Sequence, residues 1–216
     1  MTQLFAAVIL EPFADVARIN STKMAQEFQN KFGIVDAMFT EKIIDYFKKV
    51  VIPHKIEVYK AGMQLLSDHT DKTELLLTKD GQTDFVNNLI VHDLSKFSVH
   101  EAFGYSGYNR STGEGKEAFE RAWHHHKMYN KHHPEYWLNP NRGGVMEPLA
   151  MPNIYALEMI ADWIGAGKTY GSTLQEWLPG NIGKFLFANP HDIAAIITEI
   201  TGIEVRVHNG RLTDQW

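Results

Sequence analysis

The chain has 216 residues, of which 44% are hydrophobic and 12% aromatic, and these are values of a globular protein rather than of a disordered chain. A formal net charge of -5 at pH 7 gives no basic surface for long nucleic acid, so we do not expect nucleic acid as a partner. Eleven histidines and no cysteine exclude disulfides and thiolate metal sites, and leave His, Asp and Glu as the metal-binding side chains.

The sequence gives no sign of a membrane or secretory segment. The apolar run from Leu4 to Leu10 is short, follows no basic segment and ends at Glu11. No stretch approaches the roughly 20 apolar residues that a membrane-spanning helix needs. The lack of cysteine also fits a reducing compartment. We therefore expect a cytoplasmic protein, in a cell or an infected host, without a membrane partner.

Residues 1–36 carry no clear periodicity, and we predict that they form an N-terminal appendage or an oligomer contact. A homo-oligomer is therefore left open. The rest of the chain, residues 37–216, is long enough to bury one core and is predicted to form a single helical domain. Helical spacing starts near Thr40 and is interrupted by Pro53, which either kinks one long helix or opens a new one.

Two successive helices each carry a histidine on the apolar face. The spacing i, i+4, i+7, i+11 joins the members of the first stripe, which are His54, Val58, Ala61 and Leu65. The same spacing joins the members of the second stripe, which are Phe85, Leu89, His92 and Lys96. We therefore predict that His54 and His92 face the core, and that Lys96 lies one turn beyond His92.

The segment from Ser98 to Gly115 is rich in glycine and is predicted to be a loop or lid that carries Glu101. The pattern that follows predicts a helix from Glu117 to His133. The helix should end there because Pro134 disfavours helical geometry in the residue before it.

The last third of the chain alternates loops and helices. Residues 139–151 are predicted to be a loop, followed by a helix that starts near Pro152, carries Asp162 and is closed by Gly165 and Gly167. A final helix is predicted from Asn189-Pro190 to Ile200. Beyond it, alternating residues 203–207 and the dipeptide Asn209-Gly210 predict a small hairpin. The fold expected is thus an all-α helical bundle with long loops and a minor β element at the termini.

Four ionisable residues fall on predicted core positions of three helices. They are His54, His92, Asp93 and Asp162. Burying such groups is costly unless they are paired or bound to metal, and a divalent ion accepts imidazole nitrogen and carboxylate oxygen together. A single buried histidine is usually a hydrogen-bonded core residue, whereas four such groups on separate helices favour a metal site.

The order of a lone His, a His-Asp pair and a later Asp resembles the HD-domain superfamily, a helical fold of metal-dependent phosphohydrolases. The resemblance covers about residues 40–165 and places the metal ligands at His54, His92-Asp93 and Asp162. The segments Trp123 to Trp137 and Glu158 to Trp163 look more narrowly like a little-characterised HD-like family of phages, bacteria and large DNA viruses. That narrower resemblance implies no substrate.

Further histidines leave open whether one or two ions are bound. His126 and His133 share a predicted helix face and are candidates for a second metal, as in some HD proteins, and His132 is kept as an alternative because the helix ends there. Asn130 and Glu158 are candidates to orient ligands. The ion itself (Mn, Mg, Co, Ni, Fe or Zn) is not distinguished. The second His-Asp pair, His191-Asp192, is expected only to suit the first turn of a helix.

The resemblance implies a phosphohydrolase that acts on a small phosphorylated substrate, with a nucleotide as the favoured class. Asp93 is predicted to be both ligand and catalytic group, Lys96 to offset charge on phosphate, and Glu101 to shuttle a proton. Two alternatives remain, a dinuclear-iron oxygenase on the same scaffold and a non-catalytic protein that uses metal for structure or regulation.

Overall fold

The computed structural model describes residues 37–70 and 78–213, with side chains from residue 41 onward. Its regular structure is mostly helical, with two short strand pairs, which confirms the predicted all-α fold with minor β elements. Residues 1–36, predicted as an appendage, lie outside the described residues, so that boundary stays a prediction. In the described ranges no helix is both long and apolar enough to cross a membrane.

The helices follow one another along most of the chain. In chain order they are α1 (Ala37–Tyr46), α2 (Ile52–His69), α3 (Lys79–Val91), α4 (Val99–Gly107), α5 (Lys116–Tyr129), α6 (Asn153–Tyr170), α7 (Leu174–Trp177) and α8 (Pro190–Thr201). Short helical turns lie at Phe47–Val51, which is a π-helical turn, and at Leu94–Phe97, Pro134–Trp137 and Ile182–Lys184, which are 3-10 turns. The π-helical turn directly precedes Pro53, whose ring and missing N–H disturb the helical ladder there.

The strands form two antiparallel hairpins. The first pairs β1 (Leu138–Pro140) with β2 (Met146–Pro148), within the segment predicted to be a loop. The second pairs β3 (Arg206–His208) with β4 (Arg211–Thr213). Asn209 and Gly210 join them with φ values of 50° and 73°, as a two-residue hairpin turn requires. This confirms the predicted terminal hairpin.

The chain forms two compact units. Among the residues that the structure describes, one comprises residues 37–53 and 94–126, and the other comprises residues 54–70, 78–93 and 127–213. We call them the first and the second unit. In the described part of the first unit, one cluster of buried apolar residues comprises Ile43, Phe47, Val51 and Ala102.

The core of the second unit surrounds α6, which packs against α3, α7 and α8. Residues 156–161 of α6 are all buried. Leu89 of α3 and Ile193 and Ile197 of α8 are likewise almost completely enclosed. Each such aliphatic side chain stabilises the fold by about 1.5–3 kcal/mol on transfer from water. Buried apolar side chains therefore surround the inner face of α6, and Asp162 lies at the edge of that face.

Gly165 and Gly167 differ from the sequence expectation. Neither closes α6, which continues to Tyr170 and ends at Gly171 with φ of 80°. A Cβ at Gly165 would lie 2.6 Å from the backbone N of Val58, so glycine at 165 permits α2 and α6 to approach closely.

The predicted loop at residues 98–115 contains a helix, α4, as far as Gly107. A Cβ at Gly104 would lie 2.3 Å from the carbonyl oxygen of Ala118, on α5. The glycine content of this segment therefore reflects close helix packing as well as turns, and the predicted loop at Glu101 is wrong because Glu101 lies on a helix.

Candidate metal centre

The His92-Asp93 pair lies in a turn and not within a helix. α3 ends at Val91, His92 has φ of -47° and ψ of 130°, and Asp93 takes the left-handed value φ of 56°. The prediction that the helical face continues through Asp93 to Lys96 is therefore wrong. Lys96 lies in the 3-10 turn Leu94–Phe97, within the first unit, and its side chain is half-buried.

A buried lysine holds this turn from α2. Lys55 is 1% exposed, and its Nζ donates to the backbone carbonyl of His92 by a very short contact and to that of Ile90 at 3.5 Å. The last carbonyls of a helix lack intrahelical partners and attract a cation. Lys55 therefore fixes the end of α3, a role that the spacing of apolar residues does not indicate.

The four predicted ligands of the central site meet in the second unit. The Nε2 of His54 lies 3.3 Å from Asp93 Oδ2 and 3.1 Å from Asp162 Oδ1. The Nε2 of His92 lies 3.5 Å and 3.4 Å from the same two oxygens. α2, the turn after α3 and α6 thus each supply part of one cluster.

These spacings fit the shell of a single cation. Bonds of about 2.1 Å to one ion place neighbouring donor atoms roughly 3.0–3.4 Å apart. His54 and His92 are 3% and 2% exposed, and within the described part of the chain their Nε2 atoms have no well-aligned hydrogen bond. A buried polar atom without a hydrogen-bond partner calls for an explanation, and a bound ion is one such explanation. These buried His and Asp groups can hold a metal ion.

A fifth side chain, His132, joins the cluster. Its Nε2 lies 3.5 Å from Asp93 Oδ1 and 3.8 Å from Asp162 Oδ2, and it is 2% exposed. Its ring centroid is 4.2 Å from that of His92. The sequence favoured His133 because a helix continuing from His126 would bring it to the same face, but α5 ends at Tyr129. His133 lies beside His132, with ring centroids 4.4 Å apart.

Glu158 orients two of the imidazoles. Its Oε1 lies 3.0 Å from Nδ1 of His92 and 3.1 Å from Nδ1 of His132. A carboxylate oxygen accepts, so each ring donates from Nδ1 and presents Nε2 towards Asp93 and Asp162. Glu158 therefore occupies the position of an orienting residue, as its spacing one turn before Asp162 suggested.

The charges of the cluster support one another in the metal-free state. Burial alone would lower the pKa of His92, but the neighbouring carboxylates, with Asp93 contributing most, raise it to about 9. Burial would raise the pKa of Asp162, but the imidazoles of His54 and His92 hold it well below its usual range. The pKa of Glu158 is lowered in the same way, against burial, by His132 and His92. The carboxylates of Asp162 and Glu158 are thus ionised in neutral solution, and the ionised form of a carboxylate is the one that binds cations.

A second carboxylate–histidine cluster lies in the first unit. Glu101 is fully buried, and its two oxygens accept from Nδ1 of His125 at 2.7 Å and Nδ1 of His126 at 2.9 Å. Burial would raise the pKa of Glu101, but His126 and His125 outweigh it and lower the pKa. The predicted roles of Glu101 as proton shuttle and His126 as ligand of a second metal stay predictions.

The second His-Asp pair lies apart from this chemistry. His191 and Asp192 are exposed in the first turn of α8, as expected. Asn130 is half-buried in the turn that follows α5, and its carbonyl accepts from the backbone N–H of His133 at 3.1 Å.

The sequence matches the model of one protein family over residues 43–201, described as a family of unknown function (DUF5662). The matched range contains every member of the cluster in the second unit, from His54 to Asp162. No curated protein and no solved structure matches the chain.

Proposed function

The chain belongs to this family of unknown function, and from its own site we propose that it is a metal-dependent phosphohydrolase acting on a small phosphorylated substrate, with a nucleotide as the favoured class. The observation that carries the proposal is the convergence of His54, His92, Asp93 and Asp162 on one buried point. The chain order of these residues also resembles the HD-domain superfamily, whose activity is of this kind.

The residues of the cluster suit a cation that activates water. When bound, a divalent ion lowers the pKa of a coordinated water towards 7 and polarises a phosphoryl oxygen. Asp93 and Asp162 supply negative charge that holds the cation, and His54 and His92 supply neutral nitrogen donors. Glu158 keeps His92 in the tautomer that presents Nε2. The oxygen of Asp162 is less enclosed than that of Asp93, with side-chain exposures of 14% and 1%, so Asp162 marks the side open to a substrate.

A nucleotide is the favoured substrate class because the net charge of -5 disfavours long nucleic acid, whereas a single phosphorylated molecule needs only a local cation. A bound ion would supply that local positive charge in an otherwise acidic chain. Substrate binding and catalysis would then both depend on the residues that hold it.

The test is phosphate release by purified full-length protein across a panel of nucleoside mono-, di- and triphosphates, with Mn²⁺, Co²⁺, Ni²⁺, Mg²⁺ or Zn²⁺ added to metal-stripped samples. We expect release from at least one nucleotide with one or more ions, and loss of at least a thousandfold in rate for Asp162→Asn, which keeps the shape of the side chain and removes its charge.

The matched control is Asp192→Asn, in the exposed His-Asp pair at the start of α8, which should keep the full rate. Metal binding without phosphate release from any member of the panel would overturn the hydrolase proposal and favour a structural or regulatory metal. Activity that survives Asp162→Asn would overturn the assignment of this site.

A further inference from the structure

We propose that His132 is a further protein ligand of this cation, held with His92 by one oxygen of Glu158, and that the resulting three imidazoles and two carboxylates select a transition-metal ion over magnesium or calcium. The inference deepens the proposed function, since it rests on the same metal site. It does not depend on which reaction the site performs.

The Nε2 atom of His132 lies where a ligand of the cation would place its nitrogen. Its Nε2 approaches both carboxylates of the cluster, Asp93 on one side and Asp162 on the other. His54 and His92 approach the same two carboxylates from other directions. Three ring nitrogens therefore surround one pair of carboxylates inside a region that is almost closed to water.

Glu158 makes the placement of His132 depend on that of His92. A single atom, Oε1, accepts from Nδ1 of both rings, at 3.0 and 3.1 Å. Because one oxygen fixes both donors, the two Nε2 atoms are turned inward together. A carboxylate that accepts a hydrogen bond from a metal-bound histidine also raises the basicity of the ring nitrogen that binds the metal. Glu158 is thus a positioning residue that acts through two histidines at once.

The backbone around His132 is also held. The turn after α5 is closed by the hydrogen bond from His133 N–H to the carbonyl of Asn130 at 3.1 Å, and the indole of Trp137 donates to the carbonyl of Lys131 at 2.8 Å. These bonds flank His132 on both sides. A ligand on a turn held in this way is pre-oriented before the cation arrives.

The donor set decides the class of cation. Imidazole suits Fe²⁺, Ni²⁺, Cu²⁺ and Zn²⁺, and the affinity of a given site for divalent first-row ions rises from Mn²⁺ to Cu²⁺, whereas Mg²⁺ and Ca²⁺ prefer oxygen ligands and Mg²⁺ usually keeps several waters. With the predicted ligands alone, imidazoles and carboxylates are equal in number. Adding His132 gives imidazole the majority, so the site should reject Mg²⁺ even at a large excess.

The experiment measures metal binding without substrate. Metal-stripped full-length protein is titrated with Co²⁺, and affinity is obtained by competition with a chelator while the visible spectrum of bound Co²⁺ is recorded. Mg²⁺ is then added in excess as competitor. We expect millimolar Mg²⁺ to leave bound Co²⁺ in place, His132→Ala to weaken Co²⁺ binding at least tenfold with a changed spectrum, and Glu158→Gln to weaken it by about 10–100-fold.

His191→Ala removes an exposed imidazole and serves as the matched control, with unchanged affinity and spectrum expected. His132→Gln is the second variant if His132→Ala does not fold, as judged by circular dichroism of the metal-free protein. The double variant of His132→Ala with Glu158→Gln should lose less than the product of the two single losses, because Glu158 acts partly through His132.

Equal Co²⁺ affinity in His132→Ala and His191→Ala, or displacement of Co²⁺ by millimolar Mg²⁺, would overturn the inference. A larger loss from His133→Ala than from His132→Ala would do so as well. A protein that binds Co²⁺ as expected but releases no phosphate would defeat the hydrolase proposal and leave this one standing, so the two failures are distinguishable.

Discussion

Asp93 holds two demanding positions at once, a left-handed backbone and a buried carboxylate. Its φ of 56° costs an L-residue about 1–2 kcal/mol, and Asp and Asn tolerate it best because their short polar side chains bond locally. The same residue faces the Nε2 atoms of His54, His92 and His132. The residue with the strained backbone, Asp93, is thus the one whose carboxylate contacts all three histidines of the cluster.

Substitutions at Asp93 should separate these two demands. Asp93→Asn and Asp93→Ala both remove the charge, so both should lose bound metal as measured by elemental analysis. Alanine tolerates the left-handed region poorly, so the metal-free Asp93→Ala variant should be about 1 kcal/mol less stable than Asp93→Asn in urea unfolding. Equal stability of the two variants would show that the turn relaxes.

The raised pKa of His92 predicts a pH dependence of stability in the metal-free protein. The folded state binds the His92 proton up to about pH 9, whereas the ordinary value is 6.5. This contribution is fully present below pH 6.5 and is lost as pH rises through 9, on the order of 3 kcal/mol in all. Urea unfolding of the metal-free protein at half-unit steps of pH should therefore give falling stability between pH 6.5 and 9.

His92→Gln is the matched control for this pH profile, because it removes the titrating group and should flatten the fall. The lowered pKa values of Glu158 and Asp162 act in the opposite range, since their contribution is present in neutral solution and lost in acid. A wild-type profile that rises between pH 6.5 and 9 would contradict the assignment of a proton to His92.

At the scale of elements, the approach of α2 to α6 sets the distance between His54 and Asp162. Gly165 lies three residues after Asp162 and faces the backbone of Val58, which lies one turn after His54. A Cβ at Gly165 would meet the N and Cα of Val58 at 2.6 and 2.7 Å, and backbone atoms cannot move aside as a side chain can. A contact between helix backbones therefore sets the spacing of His54 and Asp162.

Gly165→Ala should widen this crossing and damage the site from outside it. We expect a loss of about 1–3 kcal/mol in stability, as for other overpacked positions, and Co²⁺ binding weakened at least tenfold. Gly180→Ala is the control, because a Cβ there meets nothing within 4 Å. Unfolding curves and chelator competition on both variants provide the measurements. Wild-type affinity in Gly165→Ala would show that the helices accommodate the methyl group without moving the ligands.

Helix ends account for the differences between predicted and observed elements. Apolar spacing predicted the faces of α2 and α6 because each runs unbroken through its ligand, His54 or Asp162. It failed where a helix stops, since α3 ends before His92 and α5 ends before His132, and beyond an end the helical period no longer applies. Glycine was also ambiguous, because a turn and a close helix contact both require it.

For the whole molecule, the composition and the helical periodicity were sufficient to predict a mostly helical protein with a terminal hairpin. Four members of the cluster were also predictable, because buried His and Asp at core positions need a common partner. His132 was open only as an alternative to His133, and the role of Lys55 was not indicated, since their places depend on how distant segments meet rather than on any local pattern. Long-range packing of this kind leaves no trace in the spacing of residues along one element.

Metal binding should also stabilise the molecule as a whole. A ligand that binds only the folded state adds about 2.7 kcal/mol at a hundred times its dissociation constant. For a chain of this length that corresponds to a rise in Tm of roughly 5–10 °C. Thermal unfolding with Co²⁺ and with a chelator should show this difference, and His54→Ala should abolish it. An unchanged Tm for wild type under both conditions would contradict metal binding by the folded protein.

The adjacency of His54 and Lys55 on α2 has a mechanical consequence. His54 presents its Nε2 to the cluster. Lys55 donates a hydrogen bond to the carbonyl of His92, which directly precedes Asp93 in the turn. A sliding or rotation of α2 should therefore move His54, His92 and Asp93 together, because Lys55 links the helix to the turn. The cluster should therefore form and break cooperatively. Arrangements that keep only some of the donor atoms in place should be too short-lived to accumulate.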